Sequence, residues 1–235
     1  MFPIGDENEK GAGLPVVTLL LVIVNVLVFL YESTLGGRSL ENFVFTYGVV
    51  PREIQHGQDL YSLVTSMFVH GGLAHVGGNM LFLWIFGDNV ERRFGSLLYL
   101  VFYLATGLAA SATHILFNQG STIPSIGASG AISGVLGAYI LMYPTNRVRV
   151  LVGYWWVFAL PAYMFLGIWF LTQFINGIAS LGVPTAQTSG VAVWAHVGGF
   201  VAGALGSLVL RMVVGQPQQG GQVYVRRGQD PGRWQ

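Results

Sequence analysis

The chain has 235 residues, 53% of them apolar and 9% charged, with a net charge of +1 and a mean hydropathy of +0.59. A soluble domain carries roughly 25% charged residues, so a water-facing globule is excluded in favour of one membrane bundle. The near-neutral charge, with no dense Lys/Arg run, excludes a nucleic-acid binder, and the lack of cysteine excludes disulfides and thiol chemistry.

About 20 apolar residues cross the hydrocarbon core, and six stretches meet or approach that length. In chain order they are roughly Leu14 to Tyr31, Ala74 to Val90, Leu97 to Phe117, a shorter one at Gly127 to Tyr143, Val150 to Ile175 with Pro161 inside it, and Val191 to Val214. The expected fold is therefore all-α, a polytopic bundle of six transmembrane helices. Residues 1–13 read as an N-terminal flank, 14–214 as the membrane domain, and 215–235 as a Gln/Gly-rich disordered tail. The first span has an acidic flank and no cleavage site, so it reads as an uncleaved anchor. The connection from about 32 to 72 mixes charges with aromatics and is expected to lie in the membrane interface.

Lys10, Arg92, Arg93, Arg147, Arg149, Arg211, Arg226, Arg227 and Arg233 fall on one side of this plan, against Arg38 and Arg52 on the other. The basic side is cytoplasmic, which places both termini there. The minimal plan suggests the plasma membrane of a prokaryote.

Strongly polar side chains inside spans are costly and point to function. His75 and Asn79 share a face of the second span at i and i+4. Ser129 starts the fourth, and His196 lies in the sixth. The three spans run in the same direction. Counting down to Arg92, Pro144 and Arg211 puts all four residues about 20–25 Å above the cytoplasmic boundary, some 5–10 Å below the outer surface. A serine at one depth with a histidine is the arrangement of a nucleophile and its base. The two must approach to about 3 Å, so their helices must pack closely. Gly199 and Gly203 follow His196 at i+3 and i+7, while Ser133 and Gly137 follow Ser129 at i+4 and i+8, giving each helix a stripe of small residues. The amide of Ser129 lies in a first helical turn, where N–H groups lack partners, and His75 and Asn79 can add donors for an oxyanion. With no Asp or Glu in the layer, a Ser–His dyad without an acid is expected. Against this stand plainer roles: Ser129 as a packing residue, His196 as a clamp between helices, and His75 and Asn79 as interhelical hydrogen bonders. No cofactor or metal is called for.

The segments HGGLAHVGGN (70–79), GDNVERRFG (87–95), GASGAISG (127–134) and AHVGGFVAG (195–203), in this order within six spans, resemble the rhomboid family of intramembrane serine proteases over about residues 14 to 214. The resemblance implies Ser129 as nucleophile, His196 as general base, and His75, Asn79 and the Ser129 amide as oxyanion hole. Gly127, Gly130, Gly199 and Gly203 would support the site, and Glu91 would anchor the first loop. It further implies cleavage of transmembrane proteins in or beside their spans, at small residues, with lateral admission near the second and fifth helices. Its partners are then membrane-protein substrates and the lipid bilayer. Two departures stand out: Tyr61-Ser62 replaces a frequent Trp-Arg pair, and Ser133 occupies the position where some members stack a tyrosine on the histidine. The alternative is a non-proteolytic rhomboid-like protein that binds or escorts transmembrane clients. Activity should fall at acid pH, as the base protonates. Gly77 and Gly78 are expected to thin the second helix beside the oxyanion donors.

Overall fold

The computed structural model describes residues 2–7, 13–153, 155–181 and 192–214. Lys10 and the tail at 215–235, with its three arginines, lie outside them. Six long helices are present, as expected: α1 (Val16–Glu32), α5 (Leu73–Phe94), α6 (Ser96–Phe117), α7 (Ser129–Met142), α8 (Ala162–Ser180) and α9 (Val193–Val214). Of these, α6, α8 and α9 are long and apolar enough to cross a membrane, whereas α1 and α7 are apolar but shorter. Three short helices, α2 (Gly37–Tyr47), α3 (Pro51–Gln55) and α4 (Ser62–Thr65), and a 3-10 turn at Ser66–Phe68 fill the first loop.

The centre of the bundle is α7, flanked by α9 and α6 and buried on every side from Gly130 to Tyr139. Its 14 residues rise only about 21 Å, less than the hydrocarbon thickness. A helix this short, with its C-terminal end at one membrane surface, must begin inside the hydrocarbon layer. That sets the depth of Ser129.

Small residues explain how α7 sits so close to its neighbours. A Cβ on Gly199 would overlap the carbonyl oxygen of Gly130, one on Gly203 the carbonyl of Gly134, and one on Gly137 the carbonyl of Phe200. The stripes expected on the fourth and sixth spans thus bring backbone against backbone. Gly77 and Gly78 do otherwise: a Cβ on either meets nothing within 4 Å, so they thin no helix contact.

One span differs from its expected limits. The described residues of 150–161 are not helical; residues 147–152 and 156–161 are the strands β2 (Arg147–Val152) and β3 (Trp156–Pro161) of an antiparallel sheet with β1 (Phe2–Gly5), in the order β1-β2-β3. Arg147 pairs with Pro161 and Val152 with Trp156 across β2 and β3. Arg147-Val148-Arg149-Val150 alternates polar and apolar, the strand period, and its valines are buried while its arginines are exposed. Pro161, read as a residue inside the fifth span, instead caps α8, where its missing N–H is harmless. The N-terminal flank also gains structure, as β1 pairs Phe2 with Leu151 and Gly5 with Arg149.

Two buried carboxylates tie the ends of α1. Glu91, 2% exposed, accepts from the amides of Val17 at 2.8 Å and Thr18 at 2.7 Å and from Ser96 Oγ at 2.6 Å. It serves as the anionic cap that α1, preceded by Pro15, lacks in its own sequence. This corrects the role implied by resemblance: Glu91 holds the start of α1, not the first loop. The loop is held instead by Glu32 at the other end of α1, whose two oxygens accept from the His70 amide at 3.2 Å.

Candidate active site

The segment entering α7 is pinned before the helix starts. Val49 and Ser125 exchange backbone hydrogen bonds, and the Gly127 amide donates to the Ser66 carbonyl at 2.8 Å. Gly127 has φ of +121°, and a Cβ there would lie 2.7 Å from His75 Nε2. Only glycine satisfies both conditions. Ser129 follows as the first residue of α7, where its amide has no partner within the helix.

Ser129 Oγ lies 2.7 Å from His196 Nε2. The two residues come from helices 67 positions apart in sequence, and the distance is that of a good hydrogen bond. The other imidazole nitrogen, Nδ1, lies 2.9 Å from Gln173 Oε1 on α8. Trp169, one turn earlier on α8, places its ring 5.9 Å from the imidazole at an interplanar angle of 36°. Ser133, at the position of the absent tyrosine, turns away and donates to the Ser129 carbonyl at 2.6 Å.

On α5, His75 Nδ1 accepts from the Gly71 amide at 3.3 Å. That bond requires Nε2 to carry the ring proton, and Nε2 is the atom facing Gly127. Asn79 Nδ2 is buried without a hydrogen-bond partner, 3.6 Å from where a Gly127 Cβ would stand. Buried amide donors are nearly always satisfied, so an orphan facing Gly127, two residues before Ser129, suits an acceptor that arrives during a reaction.

A small cleft adjoins Ser129, lined among others by Ser66, Gly107, Ser111, His114, Ser125 and Ala195. His114, near the outer end of α6, therefore borders the site. The ring of His70 is buried just before α5, with Nδ1 3.2 Å from the Phe68 carbonyl. Burial, reinforced by the charge of His75, pushes its pKa down to about 4. His56 remains in the loop, with Nδ1 against the Arg52 carbonyl.

The layer read from the sequence thus brings together Ser129, His196, His75 and Asn79, with Gly127, Gly130, Gly199 and Gly203 around them. Glu91 lies elsewhere, under α1. Sequence reasoning missed Gln173 and Trp169. Gln173 is an amide inside an apolar span, but its depth could be counted only once α8 was seen to start at Ala162 and not at Val150: 11 residues then lift it about 16 Å, toward the layer.

The chain matches the Rhomboid domain over residues 57–213. It is similar to Rhomboid protease GluP of Bacillus subtilis (strain 168), with 35% identity over 57% of this chain and 26% of that protein. It is also similar to RHOMBOID-like protein 6, mitochondrial, of Arabidopsis thaliana, with 30% identity over 72% of this chain and 48% of that one. Rhomboid protein 1, mitochondrial, of Saccharomyces cerevisiae (strain ATCC 204508 / S288c) is 29% identical over 74% of this chain and 46% of its own length. The matched region spans between a quarter and a half of these relatives.

Proposed function

Because the chain belongs to the rhomboid family, whose members are generally serine proteases, we propose that it is an intramembrane serine endopeptidase acting through a Ser129–His196 dyad. The observation that carries this reading is the 2.7 Å bond between Ser129 Oγ and His196 Nε2, made across two spans at one depth. Ser129 Oγ attacks the scissile carbonyl while its proton passes to His196 Nε2. The oxyanion is met by the Ser129 amide, Asn79 Nδ2 and His75 Nε2–H. His196 then returns the proton to the leaving amine, and a water activated by the same histidine releases the acyl group. The small cleft beside Ser129, lined mostly by serine, glycine and alanine with Met67 and His114 among them, suits a small substrate side chain. A protein that only binds or escorts transmembrane clients has no use for an aligned Ser–His pair, which weighs against that alternative.

The chain is a multi-pass membrane protein. The relatives named above are one bacterial protein and two designated mitochondrial, so the comparisons do not single out a prokaryotic plasma membrane. We propose residues 14–214 as the membrane domain, with its basic flanks on the cytoplasmic face or its organellar equivalent. The partners proposed are transmembrane substrates within the bilayer. The experiment is cleavage of a tagged single-span substrate in liposomes: wild type should cut, and Ser129→Ala and His196→Ala should not. Equal cutting by all three would overturn the reading.

A further inference from the structure

His196 Nε2 can accept the Ser129 proton only if Nδ1 carries the ring hydrogen. That hydrogen needs an acceptor at a depth where water is scarce and the described residues bring no carboxylate into contact with the ring. Gln173 Oε1 stands at 2.9 Å from Nδ1. Trp169, four residues earlier on the same face of α8, lies against the ring. The residue of α7 at the stacking position, Ser133, is committed to the Ser129 carbonyl, so the imidazole takes its orientation from α8.

We infer that Gln173 is the positioning residue of the base, holding His196 in the Nδ1–H tautomer through its amide oxygen, with Trp169 bracing the ring. The inference rests on the protease reading above. The choice of an amide has a physical reason. A carboxylate at this depth brings a charge into the hydrocarbon region with no cation beside it, whereas a glutamine supplies the same acceptor without charge. Its contribution is therefore geometric, fixing tautomer and ring angle, with little stabilisation of the imidazolium.

A consequence follows for α8. It is seated on α9 through Phe170 and Phe200, whose rings are 4.5 Å apart, and through Trp194 packed under Gly177. The orienting bond exists only while that seating holds.

The test measures 15N shifts of the His196 ring, assigned by difference against His196→Ala, in wild type, Gln173→Leu and Gln173→Met. Cleavage kinetics are taken on the same samples, and two variants of different shape guard against a packing defect in either. Wild type should show a single Nδ1–H tautomer. Both variants should show mixed tautomers and a kcat lower by at least roughly 10-fold, short of the ~10⁴-fold lost when the charged orienting partner of a triad is replaced, with KM within about twofold. A single Nδ1–H tautomer and wild-type kcat in both variants would overturn the inference. The protease reading fails separately, if wild type does not cleave, and the tautomer measurement still scores Gln173 in that case.

Discussion

Gly199 and Gly130 touch backbone to backbone, with no room for a Cβ on Gly199 beside the Gly130 carbonyl. The contact lies one turn from His196 on α9 and one residue from Ser129 on α7, so it sets how near the two reactive atoms come. Gly199→Ala must push the helices apart, because the opposing atom belongs to the backbone and cannot rotate aside. Overpacking of this kind costs about 1–3 kcal/mol, and a shift of about 1 Å at a reactive pair can cost about 10²-fold in rate. The expected outcome is a folded, membrane-inserted variant with at least a tenfold loss of cleavage. Wild-type turnover by Gly199→Ala would show that the contact does not govern the dyad.

Asn79 Nδ2 has no partner in the resting site, so its removal should leave the ground state almost untouched. Asn79→Ala is expected to lower kcat about 10²-fold, the cost of one oxyanion donor, while KM and thermal stability stay near wild type. Steady-state kinetics on a single-span substrate separate these effects. A large loss of stability with unchanged kcat would assign Asn79 to structure.

Asp6 follows β1 and accepts from Tyr139 Oη at 2.5 Å and Asn89 Nδ2 at 2.8 Å, which ties the N-terminal strand to α7 and α5. Burial raises its pKa from 3.8 to about 6; the Asp88 charge adds to this, while the bonds from Tyr139 and Asn89 and the charge of Arg149 oppose it. The folded state thus holds its proton more tightly than the unfolded chain. The resulting stability is fully present below about pH 4 and lost as pH rises through 6. Melting in detergent across that window should show this fall in wild type, and Asp6→Asn should flatten it. An identical pH profile in the variant would contradict the assignment.

Glu91 satisfies two amides at the start of α1 and the hydroxyl of Ser96. Glu91→Ala leaves these donors unpaired in a buried place, a cost of about 1–3 kcal/mol for each orphaned group. A clear drop in thermal midpoint is expected, with Glu91→Gln intermediate. No drop in either variant would mean that water replaces the carboxylate freely.

The parts of this molecule that were legible in the sequence are those governed by local periodicity and depth. Span length and hydropathy located six helices, and parallel spans let residue counts place Ser129, His196, His75 and Asn79 in one layer. The spacing of Gly199 and Gly203 gave the close face. What stayed hidden depends on pairing between distant segments. The apolar run at 150–161 reads as helix by hydropathy, and only its partners, β1 among them, make it a sheet. Glu91 lies near a helix end in sequence, but its partners Val17 and Thr18 are more than 70 residues away. Gln173 was overlooked because its partner His196 lies on another helix, and a single amide in an apolar span carries no spacing that names its use.

The most direct test of the central claim is a mass-spectrometric search for the adduct formed by a serine-directed fluorophosphonate on the membrane-inserted protein. The account predicts a single adduct on Ser129 in wild type, lost in His196→Ala because the unassisted hydroxyl is a weak nucleophile. An adduct on another serine, or equal labelling of Ser129 without His196, would contradict it.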